Sequence, residues 1–127
     1  MSRLSSSALA VPSVESAIQQ ATQQATQQGI QCTLAGDYSK AVELFSQALL
    51  ITPDNADIYG NRCVARHRSG DSVGAIADCR KAAELYKRQG NLARYHYALR
   101  SLDRLKKSQA DVSHCSSTTE EHHSYAR

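Results

Sequence analysis

Three observations predict an all-α fold built from repeated helix pairs. A shift of 34 residues lays Gly36-Asp37 on Gly70-Asp71, Ala41-Val42 on Ala75-Ile76, Ala48 on Ala82 and Ile51 on Leu85. Glycine, acid and alanines coinciding at one offset mark a repeating structural unit. Inside the units, apolar residues recur at three and four positions, as in Ala41, Leu44, Phe45, Ala48 and Leu49. That is the period of an amphipathic helix. Between the apolar runs stand residues that end one helix and start the next.

The order of elements follows from those signals. A first helix is expected over about residues 13–35, rich in glutamine, with Ala17, Ala21, Ala25 and Gly29 forming a small-residue row for close approach. Gly36 suits the left-handed position that closes it. Asp37 is placed to cap a second helix over 38–51, its carboxylate accepting backbone N–H bonds worth about 1 kcal/mol. Pro53 stops that helix by lacking a backbone donor and disfavouring helix in the residue before it. Asp54 or Asn55 starts a third helix over 55–69, and Gly70 with Asp71 opens a fourth over 72–88. A fifth, 91–107, presents Leu92, Tyr95, Leu99 and Leu102 on one face, with arginines and lysines on the rest. Residues 1–12 and 108–127 are polar or small with no repeating apolar face. Such segments do not offset the entropy of ordering, so both are expected to be disordered, leaving 13–107 as the one domain.

These residues resemble the tetratricopeptide repeat family. Unit one, about 22–55, carries Ala25, Gly29, Gly36, Tyr38, Ala41, Phe45, Ala48 and Pro53 where the family expects them, with Cys32 in place of a tyrosine. Unit two, about 56–89, carries Tyr59, Asn61-Arg62, Gly70, Ala75, Asp78 and Ala82, with Lys87 where proline usually stands. The stretch from Tyr59 to Leu85 is especially similar to the bacterial form of the repeat. The resemblance implies a right-handed α–α superhelix of two repeats closed by a capping helix, 91–107. It also implies a concave groove lined by the first helix of each unit. By position that groove would present Gln23, Thr26, Gln27, Ile30 and Thr33, then Asp57, Asn61, Val64, His67 and Arg68, then Arg94 and Tyr95. The expected partner-binding set is Gln27, Ile30, Asp57, Asn61, Val64, His67, Arg68, Arg94 and Tyr95. Asn61 is the strongest single candidate, because its amide can both donate to and accept from an extended peptide backbone. The lysine and asparagine clamp by which some members hold chaperone tails is absent, since Thr26 and Ile30 occupy the first-unit positions.

Charge sharpens the expectation about partners. Residues 1–61 hold two basic and five acidic side chains, whereas 62–107 hold twelve basic and four acidic. Arg62, Arg66, Arg68, Arg94 and Arg100 suit an acidic protein segment, since the planar guanidinium grips carboxylates bidentately. Arg62 and Arg66 also occupy positions that in this repeat subtype often pack between helices. Nucleic acid is the weaker reading of the same charge.

Other classes find less support. There is no glycine-rich phosphate loop, no nucleophile–base set in context and no paired carboxylates outside capping positions, so no enzyme and no cofactor are expected. Cys32, Cys63, Cys79 and Cys115 form no C-x-x-C pair. Without an export signal they read as reduced thiols, three of them on core positions as small hydrophobes. His114, Cys115, His122 and His123 are metal-ligand types without ordered spacing, and no metal site is expected. No apolar run approaches the ~18 residues of a membrane span, and a cytoplasmic location is expected. The Ser-rich opening with Arg3 resembles a transit peptide only faintly.

The expected function is therefore a protein-interaction adaptor or scaffold that holds a partner peptide or helix in the groove, with an acidic segment as the partner the arginines favour. The alternative is a self-associating assembly module working through the long first helix or the cap.

Overall fold

The computed structural model describes residues 13–125, with side chains described through residue 110. The expected disordered start, 1–12, lies outside the described residues. Five helices follow one another among those described: α1 Val14–Leu34, α2 Tyr38–Ile51, α3 Ala56–Arg68, α4 Ser72–Arg88 and α5 Leu92–Tyr125.

Helix starts are held by the expected side chains. Asp37 accepts from the Lys40 amide at 3.2 Å, Asn55 from Ile58 at 3.3 Å and Asp71 from Gly74 at 2.9 Å. Asn91 accepts from Arg94 at 3.2 Å. Each cap satisfies one of the donors a helix start leaves free. Gly36 and Gly70 turn the chain with φ of 85° and 93°, a left-handed conformation that a Cβ disfavours. The amide after each glycine then bonds back across the helix end, from Asp37 to the Cys32 carbonyl and from Asp71 to that of Arg66.

Each helix packs chiefly on its neighbours in the chain, α1 on α2, α2 on α3, α3 on α4 and α4 on α5. Such a layout is quasi-one-dimensional, with a terminal element closing the last apolar face. The 34-residue period is also a period of burial. Ala41 and Ala75 are fully buried, and Ala48 and Ala82 are buried alike. A small side chain at those points lets paired helices approach closely. Unit one meets unit two around Phe45, Leu49, Ile58 and Ala65. Unit two meets α5 through one cluster containing Ala82, Leu85, Tyr86 and Ala98, and another containing Cys63, Ile76, Cys79, Leu102 and Leu105.

Two expectations about α5 change. The helix runs to Tyr125 instead of ending at 107, so residues 108–125, expected as a disordered tail, continue as helical backbone. No proline or glycine occurs between Leu92 and Tyr125, and extending an existing helix is far easier than nucleating one. The buried face is Ala98, Leu102 and Leu105, while Leu92 and Leu99 are exposed. Leu102 and the half-buried Tyr95 keep their expected inward side, while Ala98 and Leu105 replace Leu92 and Leu99, because Ala98 is too small to advertise its burial.

The row on α1 divides. Gly29 lies against Phe45, where an added Cβ would stand 2.6 Å from the ring. Ala25 packs on the same cluster, whereas Ala17 and Ala21 are exposed.

Candidate partner-binding groove

A strut of three charged side chains fixes the orientation of α3. Asp78, buried on α4, accepts from Arg62 Nε at 2.9 Å and Nη2 at 2.8 Å, and from Arg66 Nη1 at 2.9 Å. Arg62 also donates to Ser46 Oγ on α2 at 3.0 Å, and its guanidinium lies 5.5 Å from the Tyr59 ring centroid. One arginine thus ties unit one to unit two, and α3 cannot roll without breaking the tie. Arg62 and Arg66 are accordingly structural and are not free to receive an acidic partner.

With α3 so fixed, its other face borders a groove closed on the far side by α5. The groove contains a pocket of about 830 Å³. Its apolar walls come from Val64, Ala82, Ala98, Leu105 and Tyr97, and its polar groups from Asn61, His67, Arg68, Arg94, Arg104 and Asp57. Three arginines against one carboxylate make the electrostatic character positive. That carboxylate is already occupied. Asp57 accepts the Tyr86 hydroxyl in a short hydrogen bond, and Arg94 Nη1 reaches it at 3.3 Å. Burial, and then the hydrogen bond to Asp57, push the Tyr86 hydroxyl up to about 12. Tyr86 therefore stays neutral and keeps donating.

Of the nine groove residues expected from sequence, the pocket gathers Asp57, Asn61, Val64, His67, Arg68 and Arg94. Gln27 and Ile30 are exposed on α1 away from its lining. Thr26 is the residue that α1 contributes, while Thr33 turns inward and bonds the Gly29 carbonyl at 2.9 Å. Tyr95 is half-buried against the cluster around Tyr86 and does not line the pocket. Tyr97, Ser101, Arg104 and Leu105 line it from α5 instead. They follow from the actual register of α5, which a sequence reading could have found by giving Ala98 the weight of its leucine neighbours.

The cysteines also differ from expectation. Cys63 and Cys79, read as reduced thiols, form a disulfide between α3 and α4, with Cα atoms 5.6 Å apart. Both are buried and both are among the residues lining the pocket. Their spacing of 16 matches no short motif, but the repeat contains the signal. Counting back 34 residues, Cys63 corresponds to Gly29 and Cys79 to Phe45, the pair in direct contact in unit one. Cys32 is free. The side chains of His114, Cys115, His122 and His123 lie outside the described residues.

Comparison with known proteins agrees with this architecture. No family model matches the chain. Over 74 residues it is 41% identical to human tetratricopeptide repeat protein 36, covering 58% of this chain and 39% of that protein. It is similar to tetratricopeptide repeat proteins. The mouse WD and tetratricopeptide repeats protein 1 is 43% identical over 51 residues, 38% of this chain and 8% of its own length. Human serine/threonine-protein phosphatase 5 is 41% identical over 54 residues, 42% of this chain and 11% of its own. The chain thus spans well under half the length of these relatives. All three are mammalian, and they do not single out the bacterial form of the repeat. Among the described residues no helix is long and apolar enough to cross a membrane.

Proposed function

We propose that this chain is a tetratricopeptide repeat module, non-catalytic, that holds a segment of another protein in the groove between α3 and α5. The observation that carries the reading is the pocket itself, where apolar walls meet Asn61, Arg68, Arg94 and Arg104. Val64, Tyr97 and Leu105 supply the area whose removal from water favours binding. Asn61 can bond a peptide backbone without demanding a particular sequence. The arginines select for acidic side chains and accelerate encounter with them. A groove made by two units is short, so affinity near micromolar is expected, about −8 kcal/mol. A cytoplasmic adaptor or scaffold is the setting in which such a module works.

The test is a pull-down beside an Asn61→Ala, Arg68→Glu variant, followed by a titration of the captured partner's acidic segment. Capture by the wild type and loss in the variant, with affinity falling as salt rises, supports the groove. Recovery of the same partners by both baits overturns it. Val14, Ile18, Ile30 and Leu34, all exposed on α1, favour self-association as a second reading. A molar mass that stays monomeric from micromolar to millimolar concentration discards that one.

A further inference from the structure

We propose that the Cys63–Cys79 bond is a thiol-exchange site, opened by small anionic thiols that enter through the groove. The inference does not depend on whether the groove holds a protein partner. It starts from the equivalence of the two units. In unit one the crossing of the helices is filled by Phe45 seated directly over Gly29, with no covalent link. In unit two the same two positions hold Cys79 and Cys63. The helix pair can therefore close without a bond at this point, and the disulfide is an addition to a crossing that already packs. Opening it leaves the geometry of the pair accessible while removing a constraint.

Access and charge come from the groove. Both cysteines are among the residues lining the pocket, together with Arg68, Arg94 and Arg104, and only 2% and 5% of their surfaces are exposed. Arginines in the lining of a pocket concentrate anionic reagents within it. Cys32, free among the described residues, packs instead in the cluster between the units.

The chemistry is ordinary exchange. A thiolate attacks one sulfur, the S–S electron pair departs on the other cysteine, and that thiolate takes a proton from solvent. A second small thiol attacks the mixed disulfide and releases the first cysteine. In all, two small thiols become one small disulfide, and the protein disulfide becomes two thiols. A small disulfide reverses both steps.

Because Leu102 and Leu105 of α5 share a cluster with the two cysteines, opening the bond loosens the support of the capping helix as well as the α3–α4 pair. The bond closes a loop of sequence separation 16. Losing it is expected to lower the melting temperature by roughly 10–20 °C.

The experiment uses the full oxidised chain under native conditions, with alkylation and intact-mass readout. Mercaptosuccinate is compared with cysteamine at equal thiolate concentration, each rate being divided by that reagent's rate with a small neutral disulfide to remove its intrinsic nucleophilicity. The anionic thiol is expected to open the bond about tenfold faster. That advantage should collapse in 1 M salt, where the screening length is about 3 Å, and in an Arg68→Glu, Arg104→Glu variant. Equal rates for the two thiols overturn groove entry. Free thiols at Cys63 and Cys79 in air-oxidised protein, by non-reducing peptide mapping, overturn the site itself. A Cys63→Gly, Cys79→Phe variant, which transplants the unit-one pair, should fold and show no thiol-dependent melting shift. A persisting shift there assigns the effect to another cysteine and overturns the proposal.

Discussion

Replacing Asp78 by alanine tests whether the charged strut holds α3 in place. The substitution removes the one carboxylate that receives three hydrogen bonds from Arg62 and Arg66. It leaves two guanidinium groups whose side chains are 15% and 25% exposed. Breaking a buried pair by deleting one partner typically costs about 3–5 kcal/mol, because the surviving charge stays desolvated. Two features lower the figure here. Arg62 keeps Ser46 as an acceptor at 3.0 Å, and Arg66 keeps Asp71 at 3.8 Å. Both also have a partial path to water. A loss of roughly 2–4 kcal/mol follows, or about 10–25 °C for a domain of this size. Urea unfolding followed by far-ultraviolet circular dichroism measures it. A loss below about 1 kcal/mol would refute the reasoning, since it would make the cluster equivalent to an exposed pair. The companion variant Arg62→Met, Arg66→Met, Asp78→Leu removes all three charges of the strut, and replacing buried ion pairs by apolar residues of similar volume is often neutral. It should recover stability relative to Asp78→Ala. If it is the worse of the two, the strut acts through its specific hydrogen bonds and not through an orphaned charge.

Gly29→Ala gains up to about 1 kcal/mol of helix propensity but sets a Cβ 2.6 Å from the fully buried Phe45 ring. Overpacking of about 1–3 kcal/mol should win, giving a lower melting temperature. Gly60→Ala meets nothing within 4 Å and should stabilise by up to about 1 kcal/mol; opposite signs in the two melts check the packing. Tyr86→Phe should cost roughly 1–2 kcal/mol near neutral pH by removing the hydrogen bond to Asp57. The Tyr86 hydroxyl titrates near 12 in the fold against 10 ordinarily, so the wild type's advantage is complete below pH 10 and lost as pH rises towards 12. Denaturation of both proteins across that interval would expose an advantage that grows instead. Leu105→Ala should cost about 2–5 kcal/mol by leaving a cavity under α5, and an unchanged urea midpoint would show that this turn of the helix is not part of the core.

The helix order and the boundaries of α1 to α4 were legible in the sequence because local rules decide them. Caps at Asp37, Asn55 and Asp71, stops at Gly36, Gly70 and Pro53, and the three-four spacing each act within a few residues. The 34-residue period added which helices pair, and the basic half showed where positive charge would gather. Sequence alone left three things undecided, each dependent on atoms far apart in the chain. The end of α5 was hidden because polarity argues against a core and says little about helix continuation. Its buried face was only partly legible, through Leu102 and Tyr95, because Ala98 is buried by the approach of α4 and not by its own hydrophobicity. The Asp78 strut, and with it the division of arginines into structural and groove-facing, depends on α3 crossing α4 at one angle. The Cys63–Cys79 bond lay between these cases. The repeat aligned its positions with Gly29 and Phe45, but only the crossing of the helices, where a ring sits on a glycine in one unit, places two sulfurs within bonding reach in the other.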